Sequence, residues 1–234
     1  MKRIHTLSGI LMAFCLMILL FVTSIEAVVY WTPGYFRKEY TKYRVLDDLP
    51  PMTMDELLSV TDQMMDYLKG KREDLHITAQ IGGTEREFFN AREIAHMEDV
   101  QVLFLQALSL RRFCLAASVL LLAFLAFTKA DLKRVLPFSL CAGTGIFFGL
   151  IAALAAIIST DFTKYFILFH HIFFDNDLWI LDPRTDLLIN IVPEGFFMDT
   201  AGRIAGLFGG LSLLLFIVCL VLTLKFRTRS ADRQ

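Results

Sequence analysis

Two stretches of this chain carry residue types that can move protons. The first reads Asn90-Ala91-Arg92-Glu93-Ile94-Ala95-His96-Met97-Glu98-Asp99. On a helix His96 shares a face with Arg92 and Glu93 behind it and Asp99 ahead, so a carboxylate can hold the imidazole and set its tautomer. The second runs from Tyr165 to Trp179. It places His170-His171 among five aromatic rings and follows them with Asp175-Asn176-Asp177 and Trp179. Imidazole titrates near neutral pH and serves as general acid or base, and aromatic rings favour the headgroup level of a bilayer. The plain alternatives are a passive histidine on a solvated helix face at His96 and an aromatic membrane anchor at 165–179.

The elements that must position these residues are set by hydropathy. The chain has 234 residues, 56% hydrophobic, with a net charge of −1. Ordinary globular chains are about 45–50% apolar, and the near-zero charge offers no basic surface for nucleic acid. Leu7–Ile25 is uncharged over nineteen residues, Phe113–Thr128 over sixteen, Val135–Thr160 over twenty-six and Ile204–Leu224 over twenty-one. Crossing the hydrocarbon takes about 20 apolar residues. We read a first transmembrane helix in 1–31, retained rather than cleaved as a signal peptide, and further spans at 113–128, 135–160 and 204–224. An insert over 32–112 leads into the second span, and a second insert over 161–203 holds the aromatic and histidine stretch. Basic residues flank the N-terminus, fill the 129–134 loop and follow the last span in the 225–234 tail. By the positive-inside rule those three belong in the cytoplasm, and both inserts face outside. The expected fold is an α-helical integral membrane protein, four transmembrane helices capped by a small extracytoplasmic α+β domain built from the two inserts.

Within the first insert Thr53 and Glu56 form a capping box ahead of Leu57, Val60, Met64 and Leu68 at helical spacing, with Gly70 as the stop. His76–Ile81 alternates, Gly82-Gly83 suits a two-residue hairpin turn, and 84–89 is the return strand, with His76 facing water. Asn90 and Glu93 make a second box. Val100–Leu110 continues the apolar pattern up to Arg111-Arg112, which snorkel to the headgroups; a bend or tilt then keeps His96 near the bilayer. Gly202, Gly206, Gly209 and Gly210 would let the last helix approach a neighbour closely. Cys15, Cys114, Cys141 and Cys219 each fall in an apolar run and act as small hydrophobes. No metal-ligand spacing is present, and Asp175-Asn176-Asp177 lacks the glycine and distal glutamate of a calcium loop. His170 and Asp175 make a short His-x-x-x-x-Asp pattern, as in glycerolipid acyltransferases.

Taken together, Asn90–Val100 and Phe169–Pro183, with Asp186, Leu188, Ile189 and Pro193-Glu194-Gly195-Phe196-Phe197, resemble the two signatures of the bacterial lipoprotein intramolecular transacylases, a four-span membrane family. The resemblance covers the whole chain. It implies transfer of the sn-2 acyl chain of a diacylglyceryl-cysteine to that cysteine's α-amino group, leaving a lyso-form lipoprotein. It also implies a catalytic histidine pair, here His96 and His170, with His171 one residue away. Arg92 and Asn176 are candidate donors, Glu93, Asp99 or Asp182 can orient a ring, and Trp179 belongs to the second signature. No cofactor is required. The implied partners are a diacylated lipoprotein and membrane lipids, in the bacterial cytoplasmic membrane. The competing readings are an acyltransferase or lipase acting on a free glycerophospholipid through His170 and Asp175, and a non-catalytic membrane protein whose outer domain binds a partner.

Overall fold

A computed structural model of the chain describes residues 1–231, with side chains to residue 226. Arg233 of the expected basic tail, and the side chains of Arg227 and Arg229, lie outside what is described. The elements in order are α1 (Lys2–Val29), α2 (Tyr35–Lys42), a 3-10 turn (Val45–Asp48), α3 (Met54–Leu68), β1 (Thr78–Ile81), β2 (Thr84–Glu87), α4 (Ala91–Phe127), α5 (Leu132–Ile158), α6 (Phe162–Phe173), α7 (Leu187–Ile191) and α8 (Glu194–Ala231). Four of these, α1, α4, α5 and α8, are long and apolar enough to cross a membrane. The chain divides into two compact units.

The first unit comprises residues 1–26, 109–160 and the described residues from 203 onward. Here α1 and α5 meet backbone to backbone. A Cβ on Gly9 would fall 2.5 Å from that of Ser139, and one on Gly143 would fall 2.5 Å from that of Ala13. In lipid no hydrophobic drive pulls helices together, so small residues that admit close van der Waals contact carry the association. The glycines of α8 do not take this part: a Cβ at Gly202, Gly206 or Gly210 would meet nothing within 4 Å. Leu120, Leu150, Leu214 and Val221 point outward at 57–69% exposure, which is how lipid-facing side chains look without lipid. Arg111 does not snorkel freely; it pairs with the buried carboxylate of Glu26, because a charge held among apolar helices is stabilised by an opposite one. Arg112 is exposed.

The second unit comprises residues 27–108 and 161–202. Thr53 caps α3 in a complete capping box: Glu56 N donates to Thr53 Oγ1 at 3.2 Å, and Thr53 N donates to Glu56 Oε2 at 2.7 Å. A cap of this kind is worth about 1 kcal/mol. Leu57, Val60, Met64 and Leu68 all face inward. β1 pairs antiparallel with β2, Ile81 opposite Thr84, and Gly82 and Gly83 both take the positive φ that a two-residue turn of this hand requires. His76 sits just before β1, exposed, with Nδ1 2.8 Å from Glu87 Oε1. The core gathers Tyr40, Leu57, Leu75, Ile77 and Phe89, each under 2% exposed; burying such a side chain stabilises by about 1.5–3 kcal/mol.

α4 is unbroken over 37 residues, with no interruption where the sequence places Arg111-Arg112. About 20 residues suffice to cross the hydrocarbon. The charged residues Arg92, Glu93, Glu98 and Asp99 gather in the first turns.

Candidate active site

The second unit brings the two histidine stretches together. α4 starts at a second capping box. Asn90 Oδ1 accepts from Arg92 N and Glu93 N at 2.9 and 3.1 Å, and Glu93 Oε2 accepts from Asn90 N at 2.7 Å. The same carboxylate reaches further, since Glu93 Oε1 accepts from Leu188 N at 2.6 Å, at the start of α7. Asn90 Nδ2 donates to Asp186 Oδ1 at 2.8 Å, and Asp186 Oδ2 accepts from Asp182 N at 2.7 Å. Arg92 donates to the carbonyl oxygens of Asp177 and Ile180, and Asn176 Nδ2 donates to Asp99 Oδ2 at 2.8 Å. The first two turns of α4 therefore hold segment 176–188 over one face of the helix, the face that carries His96.

These bonds correct several sequence expectations. Glu93 and Asp99 do not hold the His96 imidazole, because backbone amides and the Asn176 amide occupy them. Asn176 is taken as a donor by Asp99, and Arg92 is spent on main-chain carbonyls. Asp182 binds the Arg184 guanidinium at 2.6 Å rather than a ring, which pulls its carboxyl down to about 2. Among the described residues no hydrogen bond joins Asp175 to His170, so the His-x-x-x-x-Asp pairing is not formed.

His170 lies near the end of α6, a helix capped by Asp161, whose side chain accepts from Lys164 N at 3.0 Å. One turn back is Phe166, and His170 Nδ1 is 2.7 Å from its carbonyl oxygen. A carbonyl only accepts, so Nδ1 carries the hydrogen and the lone pair of the neutral ring sits on Nε2. Sequence reasoning looked for a carboxylate and missed this main-chain orienter; the signal was the helical spacing of Phe166 and His170.

The rings of His96 and His170 are 6.2 Å apart, centroid to centroid. Trp179 stacks on His170 at 4.7 Å, and Phe174 lies 5.5 Å from His96. Both histidines are buried, at 8% and 7% exposure. His171 is exposed, with its ring edge-on to Trp179 at 5.2 Å. Burial is the main reason that His96 is lowered to about 4, with the nearby His170 adding to the shift and Asp99 opposing it. Burial also lowers His170, against the Phe166 carbonyl. Both rings are thus neutral at neutral pH. They line a cavity of about 430 Å³ whose other walls are almost wholly apolar, among them Met97, Phe166, Leu188 and Phe197. That size is ordinary for a small-molecule site, about 300–1,000 Å³. His96 Nδ1 and Trp179 Nε1, both buried, have no partner among the described residues. Phe36 of α2 and Phe196 of α8 stack at 6.0 Å and close one side, a wall the sequence reading did not anticipate.

Four apolar helices of spanning length together with a buried, apolar-walled pair of neutral histidines define an integral membrane protein equipped for acid–base work on a lipid-like group. A model of the family described as lipoprotein intramolecular transacylase matches residues 10–197, most of the chain, and the chain belongs to that family. Its fold is similar to solved structures of the membrane integral lipoprotein intramolecular transacylase from Bacillus cereus. One aligns over 97% of this chain and 100% of that one, with a TM-score of 0.77 and 24% identity. Structures of that protein with a histidine-to-alanine and a histidine-to-arginine mutation align over 97% of this chain and 97% and 96% of theirs, each with a TM-score of 0.74 and 23% identity. At these identities the likeness speaks for the fold. No curated protein matches the chain.

Proposed function

We propose that the cavity binds the diacylglyceryl-cysteine of a bacterial lipoprotein and moves its sn-2 acyl chain to the cysteine's own α-amino group. The acyl carbon forms a bond to nitrogen and breaks its bond to the glyceryl oxygen. One proton leaves the nitrogen and one arrives at that oxygen, so the reaction balances without a co-reactant. His170 is suited to carry the proton. Its Nδ1 is anchored on Phe166, and its Nε2 lone pair takes the proton from the amine and returns it to the glyceryl oxygen. His96, neutral through burial, supplies an N–H to the oxyanion of the tetrahedral intermediate. Arg92, Glu93, Asp99 and Asn176 act as positioning residues by fixing the segment that bears Trp179. The observation that carries the reading is two neutral imidazoles 6.2 Å apart in an apolar cavity.

The amine and the ester belong to one molecule, which removes the entropic cost of bringing them together. A crossover experiment tests this. Two lipopeptides, one with deuterated acyl chains and one with a heavier peptide, are mixed with the purified protein. The expected products are N-acylated with no exchange of label; exchanged chains would indicate transfer through a free acceptor instead.

We also assign the hydrocarbon-crossing parts to α1, residues 113–128 of α4, α5 and residues 204–224 of α8. The site then faces outside, and both termini and the 129–134 loop lie in the cytoplasm. The basic residues of these three segments support that orientation.

A further inference from the structure

A second cavity, of about 590 Å³, lies within the first unit. Its polar lining comes from Lys2, His5, Lys129, Asp131 and Arg134, and its apolar lining includes Val135 and Phe138. Arg134 is paired with the one carboxylate, Asp131, at 3.3 Å. Among the described residues Lys2 and Lys129 have no ion-pair partner, so the cavity carries uncompensated positive charge. The positive-inside rule accounts for lysines in a short loop, but it requires neither a concave site nor what accompanies them here. His5 is only 7% exposed, and its ring nitrogen Nε2 has no partner among the described residues. A buried polar atom left unpaired is costly, and a ligand oxygen would satisfy it.

Lys129 adds a backbone observation. α4 ends in a turn where Ala130 N donates to Leu125 O at 2.9 Å and Lys129 N to Ala126 O at 3.1 Å. The residue at this position takes a left-handed conformation and is usually glycine. Here it is Lys129, at φ +55°. Lys129, a lysine tolerated where glycine is favoured, is one of the residues that line the cavity.

We infer that this cavity is a binding site for a phosphate-bearing anion, with the phosphate held by Lys2, Lys129 and His5 and the adjoining apolar group resting on Val135 and Phe138. An anionic glycerophospholipid has both parts; a soluble phosphate has only the first. The test is native mass spectrometry of the full chain in detergent with equal amounts of phosphatidylglycerol and phosphatidylcholine of identical acyl chains. Retention of phosphatidylglycerol should exceed that of phosphatidylcholine by at least about fivefold, the effect of one lysine at an anionic lipid surface. The double variant Lys2→Gln, Lys129→Gln replaces two exposed side chains and should bring the ratio close to one. Inorganic phosphate forms the second arm. If it raises the melting temperature of the wild type and not of the double variant, while lipid preference is absent, the site reads a soluble phosphate. A lipid preference unchanged in the double variant, or no response to either probe, overturns the inference.

Discussion

His170 and His171 are neighbours in sequence with opposite surroundings. His170 is packed against Phe166, Phe174 and Trp179 with one nitrogen anchored, while His171 looks outward. Replacing His170 by Ala is therefore expected to cut turnover of a diacylated lipopeptide at least about a hundredfold, the usual minimum for a positioned acid or base, and replacing His171 to cost only a few-fold. Turnover is read from the loss of the substrate's primary amine. His96 gives a pH prediction of known sign. Its pKa falls from 6.5 in the unfolded chain to about 4 in the fold, so between those values the unfolded state takes up a proton that the native state does not. Stability is full above pH 6.5 and declines as the pH falls toward 4, by about 3 kcal/mol. Thermal unfolding in detergent should show this slope, and His96→Gln should make it shallower, leaving the part of the same sign that the buried His170 contributes. That the two histidines belong together could be expected from sequence because each sits in a long, unusual motif, and their rings do lie 6.2 Å apart. Their orienters could not be. Glu93 and Asp99 have the right spacing on a helix face, but spacing cannot reveal that partners 77 to 95 residues away claim them.

Among the elements, α4 does most of the positioning. Its first two turns hold segment 176–188 through side chains of Asn90, Arg92, Glu93 and Asp99. Glu93 is 1% exposed, and burial raises its carboxyl above the usual range. Glu93→Ala would leave the amides of Asn90 and Leu188 without their acceptor. Each buried unpaired group costs about 1–3 kcal/mol, so losing two of them should cost the variant roughly 2–6 kcal/mol of stability, with faster amide exchange over 182–191. The capping boxes, the hairpin and the four apolar helices could be read from the chain because each rests on local rules of spacing. α2, α6 and α7 could not. The boundary of α6 is set by Asp161 at one end and the extended Phe174 at the other, and neither stands out in the sequence as a helix signal. The expectation that the α8 glycines mediate a close approach failed: a Cβ at Gly202, Gly206 or Gly210 would meet nothing within 4 Å, and α8 meets α5 instead where Phe216 lies against Gly145.

At the scale of the whole molecule, four spans with three short basic segments on one side predict the topology. Single-cysteine probes at the exposed positions 59 and 185 should react with an impermeant reagent in intact cells, and one at 131 should not; labelling at 131 would reverse the orientation. Span number and class were legible because apolar runs of spanning length are rare in other proteins. The cavity was not, since its walls come from seven helices spread along the chain. The central claim is that His96 and His170 together drive an acyl migration that leaves the substrate's mass unchanged. Tandem mass spectrometry resolves the isomers, because only the product yields an N-acylated first fragment. With a diacylated lipopeptide, the wild type and His171→Ala should produce that fragment, and His96→Ala and His170→Ala should produce at most about a hundredth as much. An active His170→Ala protein beside an inactive His171→Ala protein would contradict the account.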